Sequence, residues 1–222
     1  MLEAVIFDMD GVIVDTEPGY FEAVNEYLAD FHVSISREFN NQLTGISYSR
    51  IWQLICSRYH LSDISFEEFV IGMERCRKKK IEEEGYIPIE GTLKLMASLK
   101  EAGIKMAIGS SSPKSEIENV IDAVNIRRYI DAFVSAGDEC KEGKPNPEVF
   151  LKAANRLRVT PGNCLVIEDA SPGVLAAKRA GMYALGYQSG FGNPNFEHAD
   201  YVVTSMNDAD IALCRKITAS PR

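Results

Sequence analysis

Histidine is scarce in this chain. The three present (His32, His60, His198) stand beside no other candidate catalytic group, which leaves little room for Ser-His or Cys-His nucleophilic chemistry. The five cysteines (Cys56, Cys76, Cys140, Cys164, Cys214) form no CxxC pair and have no His at ligand spacing. They read as reduced, mostly packed thiols rather than as a disulfide framework or a zinc site. No stretch approaches the ~18 apolar residues of a membrane-spanning helix, and Met1 to Asp8 pass into an apolar strand pattern with neither a basic leader nor a small-residue cleavage site. A cytoplasmic chain without membrane contact is expected. An excess of basic charge is missing too: 24 Lys+Arg against 32 Asp+Glu leave a formal net charge of -8, which argues against nucleic acid as a partner. A small anionic ligand stays open, because a few local donors and a metal ion hold a phosphate, not the field of the whole molecule.

What is present is apolar periodicity. With 222 residues, 45% of them hydrophobic, the chain can build one sizeable core carrying a smaller insertion. Short β-rich runs recur at Ala4-Val5-Ile6-Phe7, Met106-Ala107-Ile108, Phe133-Val134-Ser135, Cys164-Leu165-Val166-Ile167, Tyr183-Ala184-Leu185 and Tyr201-Val202-Val203, as suits strands buried on both faces. Helical patterns lie between most of them, at Leu93 to Ala102, Ser115 to Val124, Pro147 to Leu157 and Gly173 to Ala180. The alternation implies right-handed crossovers and an α/β fold, a Rossmann-like doubly wound parallel sheet. The stretch from Glu17 to Pro88 breaks the rhythm, with apolar residues at helical spacing (Ile51, Leu54, Ile55; Phe66, Phe69, Val70, Met73). We therefore expect a discontinuous core from residues 1–15 and 89–222, with a helical cap over 16–88. Trp52 falls on an apolar helical stripe, and the run Lys78-Lys79-Lys80 before Glu82-Glu83-Glu84 reads as i,i+4 charge pairs on a solvated helix face.

Polar clusters follow several of the expected strands. Asp8-Met9-Asp10-Gly11 places two carboxylates at the carboxyl end of a buried strand, the end at which ligands bind in an open parallel sheet. Gly109-Ser110-Ser111-Ser112-Pro113 offers hydroxyls and backbone N–H groups before a helix, Lys144-Pro145 an ammonium, and Glu168-Asp169 a second acidic pair. Each alone could be a turn or a helix cap. Together they meet the needs of phosphoryl transfer: hard oxygen ligands for a magnesium ion, cations and donors for the phosphoryl oxygens, and a nucleophile.

In order and spacing these motifs resemble the haloacid dehalogenase superfamily of phosphatases and phosphomutases, over essentially the whole chain, with Ser171-Pro172-Gly173 following the last. The segment after Thr16 resembles the cap of its β-phosphoglucomutase-like branch, and Leu43-Thr44-Gly45 that cap's substrate-facing loop. The resemblance implies that Asp8 attacks phosphorus and Asp10 serves as general acid and then base. It implies that Ser110 and Lys144 hold the phosphoryl oxygens, and that Mg2+ is bound by Asp8, the Asp10 carbonyl and Asp169, with Glu168 a ligand or a partner behind the ligands. Thr44, Gly45, Ser111 and Lys114 are the expected substrate contacts; Lys114 would meet a second phosphate, or else stand exposed on the first turn of its helix. Where the mutases carry His, Lys and Arg in the cap, this chain has Tyr20, Thr44 and Tyr48, with Arg50 off register. The expected reaction is magnesium-dependent hydrolysis of a small phosphorylated metabolite, with a sugar phosphomutase as the alternative, by a monomer or weak dimer.

Overall fold

A computed structural model of the chain describes residues 1–43, 48–61, 64–190 and 194–219. The chain opens with β1 (Ala4–Phe7) and a short β2 (Val14–Asp15), then runs through four helices: α1 (Glu17–Ala29), α2 (Arg37–Leu43), α3 (Tyr48–Tyr59) and α4 (Phe66–Glu84). It continues with β3 (Ile87–Pro88), α5 (Glu90–Glu101), β4 (Lys105–Ser110), α6 (Lys114–Ala123), β5 (Ala132–Ser135), α7 (Ala136–Glu139) and α8 (Glu148–Leu157). The remainder is β6 (Cys164–Glu168), α9 (Ser171–Arg179), β7 (Tyr183–Tyr187), β8 (Tyr201–Val203) and α10 (Ile211–Ala219). Among the described residues no helix is long and apolar enough to cross a membrane.

Six strands form one sheet in the order β5-β4-β1-β6-β7-β8, every neighbouring pair parallel. Counted along the chain this is a doubly wound order. The connections run outward on one side of β1 through β4 and β5, and on the other through β6, β7 and β8, so the direction reverses between β1 and β6. The apolar runs seen in the sequence are these strands, and their alternation sorts side chains to two faces. Val5 and Phe7 of β1 and Leu165 and Ile167 of β6 join a cluster with Leu95, Met96 and Leu99 of α5 and Ile117 and Val120 of α6. Ala4 and Ile6, with Cys164 and Val166, turn the other way onto Val149, Phe150 and Ala153 of α8 and Val174 and Ala177 of α9. Phe7, Ile6 and Phe150 are fully buried, each contributing about 1.5–3 kcal/mol by leaving water. At one edge of the sheet Arg156 donates to the backbone carbonyl of Phe133 in β5 and also to the Glu139 carboxylate.

The chain divides into two compact units. The first comprises Met1–Asp15, Tyr86–Gly190 and Pro194–Arg222, and the second contains Thr16–Gly85. The first unit regains the chain at Tyr86, three residues before Ile89, because β3 pairs antiparallel with β2 (Val14 with Pro88, Asp15 with Ile87) and Ile89 N–H donates to the Ile13 carbonyl at 2.9 Å. With two residues on each side and a proline among them, this ribbon leaves no periodicity to read. In the second unit Val24, Leu28, Phe39, Ile55, Phe69 and Met73 form a separate apolar cluster. Helix α4 begins with a capping box in which Ser65 Oγ accepts from Glu68 N–H while the Glu68 carboxylate accepts from Ser65 N–H. Trp52 is half-buried against the cluster, its indole N–H donating to the Ile64 carbonyl at 3.1 Å. Lys79 pairs with Glu26, and Lys80 with Glu22 and Glu84, so that part of the basic run is paired within the second unit.

Helix α5 starts hard against the backbone of the turn Met206–Asp208. A Cβ on Gly91 would stand 2.3 Å from the Met206 carbonyl carbon and 2.5 Å from the Asn207 nitrogen. Backbone cannot rotate away as a side chain can. Gly91→Ala is therefore expected to lower stability by about 1–2 kcal/mol, an overpacking cost only partly offset by alanine's better helix propensity. The shift in the urea midpoint measures it.

Candidate active site

The parallel ladder between β1 and β6 runs one residue past β1, with Asp8 N–H donating to the Ile167 carbonyl at 2.9 Å. That step carries the Asp8 side chain to the end of β6, where Glu168 and Asp169 follow. The site thus lies at the carboxyl ends of the two strands between which the winding reverses. Lys144, from the connection between α7 and α8, closes the gap: its ammonium lies 2.5 Å from Asp8 Oδ1 and 2.7 Å from Glu168 Oε1. It also lies 5.0 Å from the centre of the Phe150 ring, whose π face favours a cation.

These groups are almost out of water. The side chains of Lys144 and Glu168 are 8% and 1% exposed. Burial pulls the Lys144 proton affinity down, but the charges of Asp8 and Glu168 outweigh it and hold the ammonium above the ordinary lysine range. Burial pushes the Glu168 carboxyl up, Lys144 draws it back only in part, and Asp8 adds to the rise. The second Glu168 oxygen accepts from Ala170 N–H at 2.8 Å, just before α9.

Two glycines make room for the carboxylates. A Cβ on Gly173 would fall 1.7 Å from Glu168 Oε1, and one on Gly11, whose φ is +76°, 1.9 Å from Asp169 Oδ2. Asp8, Glu168 and Asp169 each present an oxygen within 4.8 Å of the others. Three converging carboxylates against one ammonium leave surplus negative charge in a nearly dry cup. A hard divalent cation answers both the charge and the donor type, so the residues present fit magnesium.

The end of β4 and the loop after it supply the hydroxyls. Ser110 is buried, and its Oγ accepts from Ser112 N–H at 3.0 Å, which leaves its own proton to donate. Ser112 Oγ donates to Asp10 Oδ2 at 2.8 Å, while Ser111 is exposed. Of the three serines, the one that reaches Asp10 is thus two residues past Ser110, across a bend of the chain that strand periodicity does not describe. The carbonyl of Ser112 accepts from Ser135 Oγ at 2.7 Å; Ser135 is fully buried at the end of β5, and its Oγ in turn accepts from Asp138 N–H at 3.1 Å.

Lys114 stands apart from the expected substrate role. Its ammonium is turned to Glu139, 3.5 Å away, in a recess also lined by Phe133 and Arg156 beside β5, and its N–H donates to Asp138 at 2.7 Å. Because Glu139 draws it to that side, the structure does not gather it with Asp8, Ser110 and Lys144. Thr44 and Gly45 lie outside the described residues. Arg50 is exposed and donates to Gln53 at 3.2 Å.

Carboxylates, an ammonium and a hydroxyl gathered at the switch point of a doubly wound sheet define a phosphoryl-transfer enzyme of the Rossmann-like α/β class. Residues 5–187 match the family described as haloacid dehalogenase-like hydrolase, and the chain belongs to that family. It is 33% identical over 181 residues to a phosphorylated carbohydrates phosphatase of Thermotoga maritima, covering 82% of each chain. It is also 33% identical over 221 residues to a β-phosphoglucomutase of Bacillus subtilis, covering 96% of this chain and 93% of that one. A β-phosphoglucomutase crystal structure from Clostridium difficile superposes with a TM-score of 0.75 at 33% identity, covering 99% and 98% of the two chains.

The contact between Gly11 and Asp169 yields a direct test. Gly11→Ala would place a methyl group where the Asp169 carboxylate now sits, at a positive φ that alanine also resists. Displacing that carboxylate by an ångström or more should lower kcat/KM by about 10²-fold and raise the magnesium concentration needed for half-maximal rate. Steady-state kinetics across a magnesium series would read both.

Proposed function

We propose that this enzyme is a magnesium-dependent phosphatase of small phosphorylated sugars and related metabolites, with Asp8 as nucleophile and Asp10 as general acid and then base. The observation that carries the reading is the buried Lys144 ammonium shared by Asp8 and Glu168, with Asp169 converging on the same point. It lets a dianionic phosphate approach the nucleophilic Asp8 carboxylate, which would otherwise repel it. The phosphorylated carbohydrates phosphatase among the relatives supports the substrate class.

In the first half-reaction an Asp8 oxygen forms a bond to phosphorus as the bond to the leaving oxygen breaks, and Asp10 gives that oxygen its proton. Ser110 and Lys144 hold the phosphoryl oxygens. In the second half-reaction Asp10, now a carboxylate, takes a proton from water, which attacks the aspartyl-phosphate to release phosphate and restore Asp8. Asp8, Asp169, the Asp10 carbonyl and Glu168, directly or from behind, would hold magnesium, which when bound neutralises charge on the transferring phosphoryl group.

A second reading, β-phosphoglucomutase, is favoured by the relatives in Bacillus subtilis and Clostridium difficile. A mutase must grip the non-reacting phosphate of a bisphosphate, which demands dedicated cations. Thr44 and Tyr48 supply none at the matching positions, Tyr20 replaces the mutases' histidine, and Lys114 is engaged by Glu139. Water is therefore the expected acceptor.

Asp8→Asn should abolish turnover, and Asp10→Asn should lower kcat by about 10²–10⁴-fold while keeping much of the magnesium affinity, because its ligand there is the backbone carbonyl. Activity should vanish in EDTA and return with magnesium but not with calcium, whose larger shell escapes octahedral geometry. Full turnover in EDTA would refute the metal requirement. Given β-glucose 1-phosphate with a trace of glucose 1,6-bisphosphate, the enzyme should release phosphate without forming glucose 6-phosphate. Rapid isomerisation with little phosphate would establish the mutase instead.

A further inference from the structure

We infer that Ser112 is the positioning residue for the acid/base carboxyl of Asp10, and that Ser135 and the first turn of α7 brace it; the inference rests on the role given to Asp10 above. Asp10 lies three residues past the end of β1, on a chain segment outside the sheet ladder, so strand geometry alone does not aim its carboxyl group. Ser112 does. Its Oγ donates to Asp10 Oδ2 at 2.8 Å, and a bond at that oxygen sets the plane of the carboxyl and so the direction of the oxygen that exchanges the proton.

The same residue reaches the phosphoryl-binding group by its backbone, since Ser112 N–H donates to Ser110 Oγ at 3.0 Å. One residue thereby sets the distance between the hydroxyl that holds the phosphoryl oxygens and the carboxyl that serves the leaving oxygen. Its own position is held from a different strand. Ser135 Oγ, fully buried, donates to the Ser112 carbonyl at 2.7 Å and accepts from Asp138 N–H at 3.1 Å. Asp138 closes the ring by accepting from Lys114 N–H at 2.7 Å, two residues beyond Ser112. The loop after β4 is thus tied at two points to the start of α7, and through β5 to the sheet. Nothing in this network consumes the Ser112 hydroxyl except Asp10.

The chemistry predicts an effect selective for the leaving group. When the bond from phosphorus to a sugar oxygen breaks, an alkoxide would form unless a proton arrives in step, and Asp10 supplies it. A p-nitrophenolate leaves as a stable anion and needs no proton. In the first half-reaction, a residue that only aims Asp10 should therefore matter for alkyl phosphates and hardly at all for p-nitrophenyl phosphate, whereas in the second, where Asp10 takes the proton from water, it should slow both alike. A residue that merely supports the fold, or binds phosphate, should affect both alike in the first as well.

The experiment compares wild type, Ser112→Ala, Ser112→Thr, Ser135→Ala and Asp10→Asn. The probes are p-nitrophenyl phosphate and whichever of glucose 6-phosphate, fructose 1-phosphate and glycerol phosphate the wild type hydrolyses fastest. Ser112→Ala should lose about 10- to 100-fold in the first-turnover rate of alcohol release from the alkyl phosphate, a fraction of the full acid/base contribution, with the half-saturating concentration nearly unchanged. Its first-turnover release of p-nitrophenolate, which reports the formation of aspartyl-phosphate from that probe, should stay within about 3-fold of wild type. Ser112→Thr, which keeps the hydroxyl, should recover most of the rate, and Ser135→Ala should show a weaker version of the same selectivity. Equal first-turnover losses on both probes, or a loss confined to the half-saturating concentration, would overturn the positioning role. If Asp10→Asn itself fails to discriminate between the probes in the first turnover, the acid assignment falls first and takes this inference with it. If Asp10→Asn discriminates and Ser112→Ala does not, only this inference falls.

Discussion

A single buried ammonium holds the catalytic end of the sheet together. Asp8 and Glu168 approach each other because β1 and β6 are adjacent, and two carboxylates brought that close with so little water would drive each other apart or take up a proton. Lys144 lies within hydrogen-bonding distance of both. Losing one partner of such a group leaves an uncompensated buried charge, which costs about 3–5 kcal/mol in measured cases. The lysine is thus structural before it is chemical. Its surroundings follow from that demand: Phe150 covers it, and Ala170 N–H satisfies the Glu168 oxygen that Lys144 does not reach.

The topology explains why these residues meet although they are far apart in the chain. Asp8 and Lys144 are separated by 136 residues, and Lys144 and Glu168 by 24. In a doubly wound sheet every strand delivers its following loop to the same end, so chemistry can be distributed over many loops and still converge. The cost falls on the glycines. At Gly11 and Gly173 the backbone yields a methyl group's volume to a carboxylate, so those positions are set by the site and not by the turn alone.

Much of this was legible in the amino-acid order because the strands are buried on both faces and leave unbroken apolar runs. Cys164 to Ile167 and Tyr201 to Val203 can be read almost to the residue. The paired β2 and β3 could not be read, since two residues on each side carry no period. At the site, Asp8, Glu168 and Asp169 announce themselves as charged groups at the ends of apolar runs, while Lys144, in the connection between α7 and α8, follows no such run and is legible only by its place in the order of the motifs. Ser112 does not, because which of three consecutive serines faces inward depends on how the chain bends after Ser110 and on a carbonyl held by Ser135 from another strand. Lys114 carried two readings, a contact to a second phosphate or an exposed lysine on a first helical turn, and only the tertiary placement of Glu139 shows the partner that it has here.

The bond from Arg156 to the Phe133 carbonyl bears on how the molecule behaves in a crowd. A sheet whose outermost strand shows bare carbonyls and amides invites the edge of another chain to add to it, the usual opening step of aggregation. Here a guanidinium anchored by Glu139 occupies one of those carbonyls on β5. An incoming strand would first have to displace a charged group, and would meet that charge's unfavourable desolvation before gaining its own hydrogen bonds. The side chain thus stands as a stopper to lateral growth at that carbonyl, independent of the site at the other ends of the strands.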